Sequence, residues 1–388
     1  MPSLRLPTAA GGLASFEMSP RSRFPARAEG DFPRIVYAAA HVVADPLSSA
    51  DPWAHSQVDW DRTLAFRHRL WDLGFKIAEA MDTSQRGMGL DWTGAQELIA
   101  RACAEAKARP GADLACGAGT DHLDPAAART LDDVVAAYET QVGFVEKHGA
   151  RVIMMASRAL ARLARGPDDY AFVYDRILSQ ARAPVILHWL GEMFDPALKG
   201  YWGVGDFEAA MNVVLGVIER HRARVDGVKV SVLDAEKEIA MRRALPAGVR
   251  MYTGDDFNYA ELIAGDGTHA SHGLLGIFDP IAPAAAAALA RLGAGDRAGY
   301  DAILTPTVPL SRKIFEAPTQ YYKAGVVFLA WLNGFQGHFI MLGAMQSARG
   351  ILHYAEVFRL ADKAGLFVDP ERACQRMKAL LATYGIEG

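Results

Sequence analysis

The sequence predicts a (β/α)8 barrel with a C-terminal helical extension, and three observations carry that prediction. Between residues 34 and 292, apolar β-rich runs alternate with amphipathic helical patterns, and eight such units follow one another. The strand runs are apolar almost throughout rather than at every second position, as expected of a parallel sheet covered by helices. No linker interrupts the series in this 388-residue chain, so the eight units close as one barrel. Residues 1–294 are read as the barrel with an N-terminal strand pair or loop capping one end. Residues 295–388 are read as three or four helices packed on it.

The strands, in order, are 34–40, 75–80, 112–116, 151–156, 184–189, 225–232, 249–253 and 273–278. The first helix, 60–73, is closed by Gly74. Thr93 with Gln96 reads as a capping box opening the second, 93–109. The third runs from about Thr130 to Gly149, and the others cover 167–181, 206–224, 235–245, 257–264 and 283–292. Two connections are long enough to act as lids or subunit contacts, 41–59 and 190–205, the second carrying Phe194, Tyr201 and Trp202.

Composition narrows the function. Hydrophobic residues make up 51% and charged residues 22%, so a large core is available, and a net charge of −4 without a basic stripe argues against a nucleic-acid partner. Cys103, Cys116 and Cys374 form no CxxC pair, which suits a reducing compartment and no structural zinc. Residues 1–7 lack the apolar run of a signal peptide. The one membrane-like stretch, 324–345, is interrupted by Asn333, Gly334, Gln336, Gly337 and His338. It reads as a buried helix pair, or through 324–332 as a subunit contact, rather than a membrane span. A cytoplasmic homo-oligomer without a membrane partner is expected.

In such barrels, chemistry sits at the C-terminal ends of the strands. That rule places His41, Asp82, Thr83, Ser84, Gln85, Arg86, Asp121, His122, Ser157, Arg158, His188, Glu192, Lys229, Ser231, Asp255 and Asp256 at the mouth. His269 and His272 precede the eighth strand and fall on the opposite, structural face. Lys229 stands out, because Val225-Asp226-Gly227-Val228-Lys229-Val230-Ser231-Val232 is otherwise a buried strand. Lysine is strongly hydrated and rarely buried unless paired or functional. An apolar barrel disfavours its ammonium form, and the free amine can attack a carbonyl to form a Schiff base. The plainer alternative is a structural lysine paired with Asp255 or Glu79.

These residues also resemble a family. Gly227-Val228-Lys229-Val230-Ser231 is similar to the lysine strand G-I-K-x-S of the dihydrodipicolinate synthase / N-acetylneuraminate lyase superfamily of Schiff-base aldolases. Thr253-Gly254-Asp255-Asp256 resembles its S-G-D-D, and residues 273–283 match the spacing of its G-V-I-S-V-x-x-N-x-x-P. Ala115-Cys116-Gly117-Ala118-Gly119-Thr120 resembles its third strand, and residues 81–86 occupy the place of its G-T-T-G-E loop. The resemblance covers about 34–290 and rests on the order and spacing of the motifs.

It implies a class I aldolase or lyase with Lys229 as nucleophile and no cofactor or metal. It also implies substrate-binding positions at Thr83, Ser84, Gly254, Asp255 and Leu275. Thr83 and Ser84 are equally readable as turn residues. Arg86 and Arg158 are candidates for an acidic substrate group, or for surface salt bridges. Three departures matter. The strand-five tyrosine position holds His188, the tyrosine pair after strand four is replaced by Ser157-Arg158-Ala159-Leu160, and the strand-five arginine has no counterpart at Met193-Phe194. His188 is the candidate general acid/base in place of the tyrosine, or else a satisfied core histidine. The expected substrate is a small oxo acid or keto sugar rather than simple pyruvate.

Two other functions compete. A metal-dependent sugar isomerase or hydrolase would draw ligands from His41, Asp121, His122, His188, Glu192 and Asp255, without the support of an HxH or ExxH spacing. A non-catalytic ligand-binding barrel is the other, motivated by the lost tyrosines.

Overall fold

The computed structural model describes residues 1–53 and 57–387. Residues 54–56, within the long connection 41–59, lie outside the described residues. The chain divides into two compact units, one of Met1–Pro33, His41–Phe75 and Gly276–Gly388, the other of Arg34–Ala40 and Lys76–Leu275.

The first unit begins with an antiparallel hairpin of β1 (Ser3–Pro7) and β2 (Leu13–Glu17), in register from Ser3↔Glu17 to Pro7↔Leu13. Leu4 and Leu6 alternate into the interior, as one buried face of a strand requires. The hairpin docks on the C-terminal helices. Arg359 donates to the Pro7 carbonyl at 2.7 Å, and the Asp362 carboxylate accepts the Ser19 hydroxyl at 2.7 Å. Beyond residue 295 the described residues form five α-helices rather than three or four: Arg297–Leu304, Val308–Ile314, Lys323–Leu332, Ile351–Lys363 and Pro370–Thr383. Pro306, Pro309 and Pro318 divide what reads as fewer elements, since proline withholds an N–H and cannot continue a helix past its first turn.

Every residue of the Lys323–Leu332 helix is buried. Its apolar surface is therefore taken up inside the chain and is not a free face for a second subunit, as 324–332 suggests in sequence. The apolar run ends at the C-cap residue Asn333, and among the described residues no helix is long and apolar enough to cross a membrane.

The second unit holds the barrel. Strands β3 (Val36–Ala39), β4 (Lys76–Glu79), β5 (Leu114–Ala118), β6 (Arg151–Met154), β7 (Val185–Leu190), β8 (Val225–Ser231), β9 (Arg250–Thr253) and β10 (His272–Leu275) pair in parallel. β10 pairs with both β9 and β3, which closes the ring. All eight predicted strands are present. β5 runs two residues further than its sequence pattern, and β10 stops three short, because residues 276–278 turn away from the ladder.

Helix ends are set by short polar side chains. The second predicted helix starts at Trp92, and its cap is Asp91, which accepts the Gly94 N–H. The Thr93–Gln96 capping box is therefore displaced: a carboxylate two residues upstream already satisfies the first free N–H groups. A true capping box joins Thr130 and Asp133 at the start of the Leu131–Lys147 helix.

The barrel interior is a cluster of Tyr37, Ala39, Ala78, Met81, Ala115, Ile153, Ile186, Tyr252 and Leu274. Its N-terminal end is closed by a polar knot. The β7–β8 register slips, so that Val185 pairs with Val225 but Ile186 with Gly227. The residue left between them, Asp226, accepts Arg151 at 2.7 Å, Arg250 at 2.6 Å and the Tyr252 hydroxyl at 2.6 Å. Gly227 allows this closeness, because a Cβ there would stand 2.5 Å from the Arg250 carbonyl oxygen and 2.7 Å from the Tyr252 ring.

Removing one member of a buried charged network leaves the others uncompensated. Asp226→Ala is expected to cost about 2–4 kcal/mol, toward the lower side because both arginines are partly exposed. A chemical denaturation midpoint indistinguishable from the parent would rule out this role for the knot.

Candidate active site

Strand alternation brings the two central candidates together. Ile186 belongs to the interior cluster, so His188, two residues on, shares its face. His188 pairs with Lys229 across β7 and β8, and Lys229 pairs with Tyr252 of the interior cluster across β8 and β9. Both side chains are buried at 1% and 8% exposure. Gly254, which follows β9, makes room for the lysine, because a Cβ there would lie 2.7 Å from Lys229 Cε and 2.2 Å from Ser231 Oγ. Any larger residue at 254 pushes the amine from its place.

Burial lowers the Lys229 pKa, and the carboxylates of Asp82 and Asp256 partly restore it. The balance is an amine more easily deprotonated than a solvated lysine. His188 is held well below the usual imidazole range, by burial first and then by the charge of Lys229. It is therefore neutral near pH 7. Its Nε2 lies 3.3 Å from Ser231 Oγ, and its buried Nδ1 meets no described hydrogen-bond partner.

The alternative pairings of Lys229 with Asp255 or Glu79 are not the ones formed. Asp255 Oδ1 accepts the N–H groups of Phe257 at 2.8 Å and Asn258 at 3.1 Å, and its Oδ2 accepts Asn258 Nδ2 at 2.8 Å. It folds its own loop. Glu79, next to the interior residue Ala78, lies on the outer face of β4, where it accepts the Ala80 N–H at 3.0 Å. Asp82 and Asp256 carry the charges that act on Lys229. Both are placed at the mouth by their sequence positions, without a role.

Other predicted substrate residues are already committed. Ser84 donates to the Ala40 carbonyl at 2.8 Å. Thr83 is buried in the short turn Asp82–Ser84. Leu275 follows the interior residue Leu274 and so turns to the outer face of β10. Arg86 is buried, not on the surface, and all five of its N–H groups are engaged. Nε and Nη2 take Asp121 at 2.9 and 2.7 Å, Nη1 takes the carbonyls of Ala80 and Gly117 at 3.1 and 2.8 Å, and Nη2 also takes Gln141. The guanidinium braces the β4 and β5 loops together. Gln141, a buried helix residue with no motif to mark it, completes the brace by accepting the Gly119 N–H and donating to Asp121 and His122. The loop that carries Arg86 holds Ala80 and Gln85 at φ +52° and +61°. Left-handed backbone costs a non-glycine residue about 1 kcal/mol or more, and the brace helps to hold it.

A cavity of about 250 Å³ opens beside this pair. Asp82, Arg86, Thr120, Asp121, Arg158, His188 and Asp195 supply its polar wall, and Leu123, Pro125, Met155, Leu190 and Leu198 its apolar one. Lys229 does not line it directly; its neighbours Asp82 and His188 do. Burial pushes the Asp121 carboxyl up, but its pairing with Arg86 outweighs this and leaves it below the usual carboxylate range. Arg158 holds Asp195 through Nε at 2.6 Å, a single contact that leaves its Nη groups without a described partner. The 190–205 connection contributes Asp195 and Leu198 to the wall. Its Tyr201 and Trp202 are anchored among Tyr170, Tyr174 and Trp189, and the Tyr201 hydroxyl accepts the Ser157 N–H at 3.0 Å.

The metal-ligand candidates are dispersed. His41 lies in the other unit, bound to Asp279 at 2.7 Å and Gln336 at 2.9 Å, while Glu192 is exposed and Asp121 and Asp255 are engaged as above. Among the described residues, no three His, Cys, Asp or Glu side chains form a metal-binding group.

The fold has solved counterparts. A 4-hydroxy-tetrahydrodipicolinate synthase of Methylacidiphilum fumariolicum SolV superposes with a TM-score of 0.63 at 13% identity, over 89% of this chain and 99% of its own. A chloride-inhibited dihydrodipicolinate synthase of Acinetobacter baumannii, complexed with pyruvate, gives 0.60 at 17% over 86% and 99%. The dihydrodipicolinate synthase of Thermotoga maritima gives 0.61 at 14% over 86% and 99%. The resemblance expected from the strand motifs is borne out at the level of fold. No curated protein matches the sequence. By sequence, over residues 4–386, the chain belongs to the family described as "Protein of unknown function (DUF993)".

Proposed function

We propose that this protein is a class I, lysine-dependent lyase or aldolase acting on a small oxo acid or keto sugar. One observation carries the reading: a buried amine of lowered pKa, in register with a neutral imidazole, beside a cavity of about 250 Å³. The Lys229 amine attacks the substrate carbonyl carbon, and the oxygen leaves as water once protonated. His188, neutral and with a free ring nitrogen, takes the proton released by the attacking amine and returns it to the departing hydroxyl. The iminium that remains draws electrons from the neighbouring carbon, so a C–C bond can break or form there, or water can leave. The barrel fold shared with dihydrodipicolinate synthases supports the reading, and the histidine in the tyrosine's place supports a substrate other than simple pyruvate.

Arg158 supplies the recognition. Arg86 has no N–H left to offer, whereas Arg158 lines the same cavity with its Nη groups open. An acidic group on the substrate, away from the carbonyl, suits that guanidinium. Three buried free cysteines are compatible with the reducing cytoplasmic setting this reading assumes, and a homo-oligomer remains part of it.

Borohydride reduction with a panel of oxo acids and keto sugars is expected to add a substrate carbon skeleton to the Lys229 peptide, read by mass, and Lys229→Ala to abolish both adduct and turnover. Full turnover by Lys229→Ala would sink the reading, and tight binding without any adduct would favour a ligand-binding barrel. The attacking amine must be unprotonated, so kcat/KM is expected to rise with pH along a limb below the range of ordinary lysine. Asp82 favours the ammonium form, and Asp82→Asn should therefore move that limb to lower pH; an upward shift contradicts the electrostatics. Arg158→Ala is expected to raise KM roughly 10- to 100-fold for an acidic substrate and leave a neutral analogue little changed. Equal losses for both would dismiss Arg158 as the anion contact.

A further inference from the structure

The barrel's other end carries another pocket, of about 360 Å³. Arg34, Thr268, His269 and His272 line it with the small residues Ala264 and Gly267, and no carboxylate is among its lining residues. His269 and His272 are the two histidines that the sequence places away from the chemical face. We infer that this pocket is a binding site for a phosphate monoester, distinct from the carbonyl site.

The donors are built into the backbone. Arg34 is oriented by its Nε, which donates to the Ile263 carbonyl at 3.1 Å. His272 Nδ1 accepts the Ile35 N–H at 2.8 Å. A neutral imidazole with Nδ1 accepting carries its proton on Nε2, a donor for which no described residue supplies an acceptor. Burial, and then the charges of Arg250 and Arg34, hold the His272 pKa at about 4, so that neutral form is the one present at physiological pH. The charge of Arg34 favours an anion at this spot, whereas that of Arg250 is taken up by Asp226. Two carboxylates lie near and are turned to other partners. Asp226, whose charge reaches His272, is matched by Arg151, Arg250 and the Tyr252 hydroxyl. Asp266 accepts the N–H groups of Thr268 at 3.0 Å and His269 at 2.7 Å and pairs with Arg243 at 3.2 Å. Guanidinium, imidazole and hydroxyl donors from two stretches of chain suit a tetrahedral oxyanion better than a planar one. The volume exceeds that of a bare phosphate, which points to an ester with a small polar remainder.

The test follows the histidine ring signals by NMR with 15N-histidine protein. Titration with glycerol phosphate is expected to shift His269 and His272 saturably, more tightly than inorganic phosphate and much more tightly than malonate. Arg34→Gln and the exposed-site variant His269→Ala should each weaken binding by at least about tenfold, while Lys229→Ala leaves it unchanged. Lack of saturation, malonate binding as well as the phosphates, or loss of the shifts in Lys229→Ala would overturn the inference. Inorganic phosphate matching glycerol phosphate would overturn the monoester assignment. The readout does not depend on turnover, so it stands apart from the aldolase reading.

Discussion

A primary amine kept out of water inside a closed parallel ring is the constraint on which the rest of this barrel depends. An ammonium ion in that position needs either water or close counter-charges. The ring supplies little of the first, and two carboxylates, Asp82 and Asp256, act on it from the loops after β4 and β9. They moderate the penalty without cancelling it, so the amine stays more easily deprotonated than a solvated lysine. The parallel register then fixes its company. With Lys229 opposite His188 on one side and Tyr252 on the other, no loop movement is needed to bring the imidazole alongside.

The floor and the mouth of the barrel manage polarity differently. At the N-terminal end, Asp226 is matched by two arginines and a tyrosine hydroxyl, a knot with rigidity as its product. At the C-terminal end, Arg86, Asp121 and Gln141 form a second network, in which every Arg86 N–H is engaged, and its work is to hold a strained loop. At the mouth, the Nδ1 of His188 and the Nη groups of Arg158 meet no described partner. Unmet hydrogen-bonding capacity beside a cavity is where a ligand gains most, because it replaces no existing partner.

Much of the fold was legible because its signals are local. Eight apolar runs of strand length, separated by amphipathic helices, admit few arrangements, and the order of the motifs around Lys229, Gly254 and Gly273 narrows them further. The helix start at Thr130 can be read the same way, although the cap assigned to Thr93 belongs to Asp91. The proline-divided C-terminal helices were harder, since an apolar run such as 324–332 looks alike whether it faces its own chain or another.

Residue chemistry and chain order by themselves determined that this is an eight-stranded parallel barrel with a lysine on its sixth strand and a histidine on its fifth. Tertiary structure alone decided which polar residues were free. Arg86 and Arg158 are equally plausible anion contacts in sequence, and Leu275, beside Leu274, reads there as a pocket residue. One guanidinium proved to have five acceptors and the other a single one, and strand alternation sent one leucine inward and the other out. The physical reason is that availability is a property of neighbours: whether a donor is satisfied depends on carbonyls and carboxylates tens of residues away, which sequence spacing does not record.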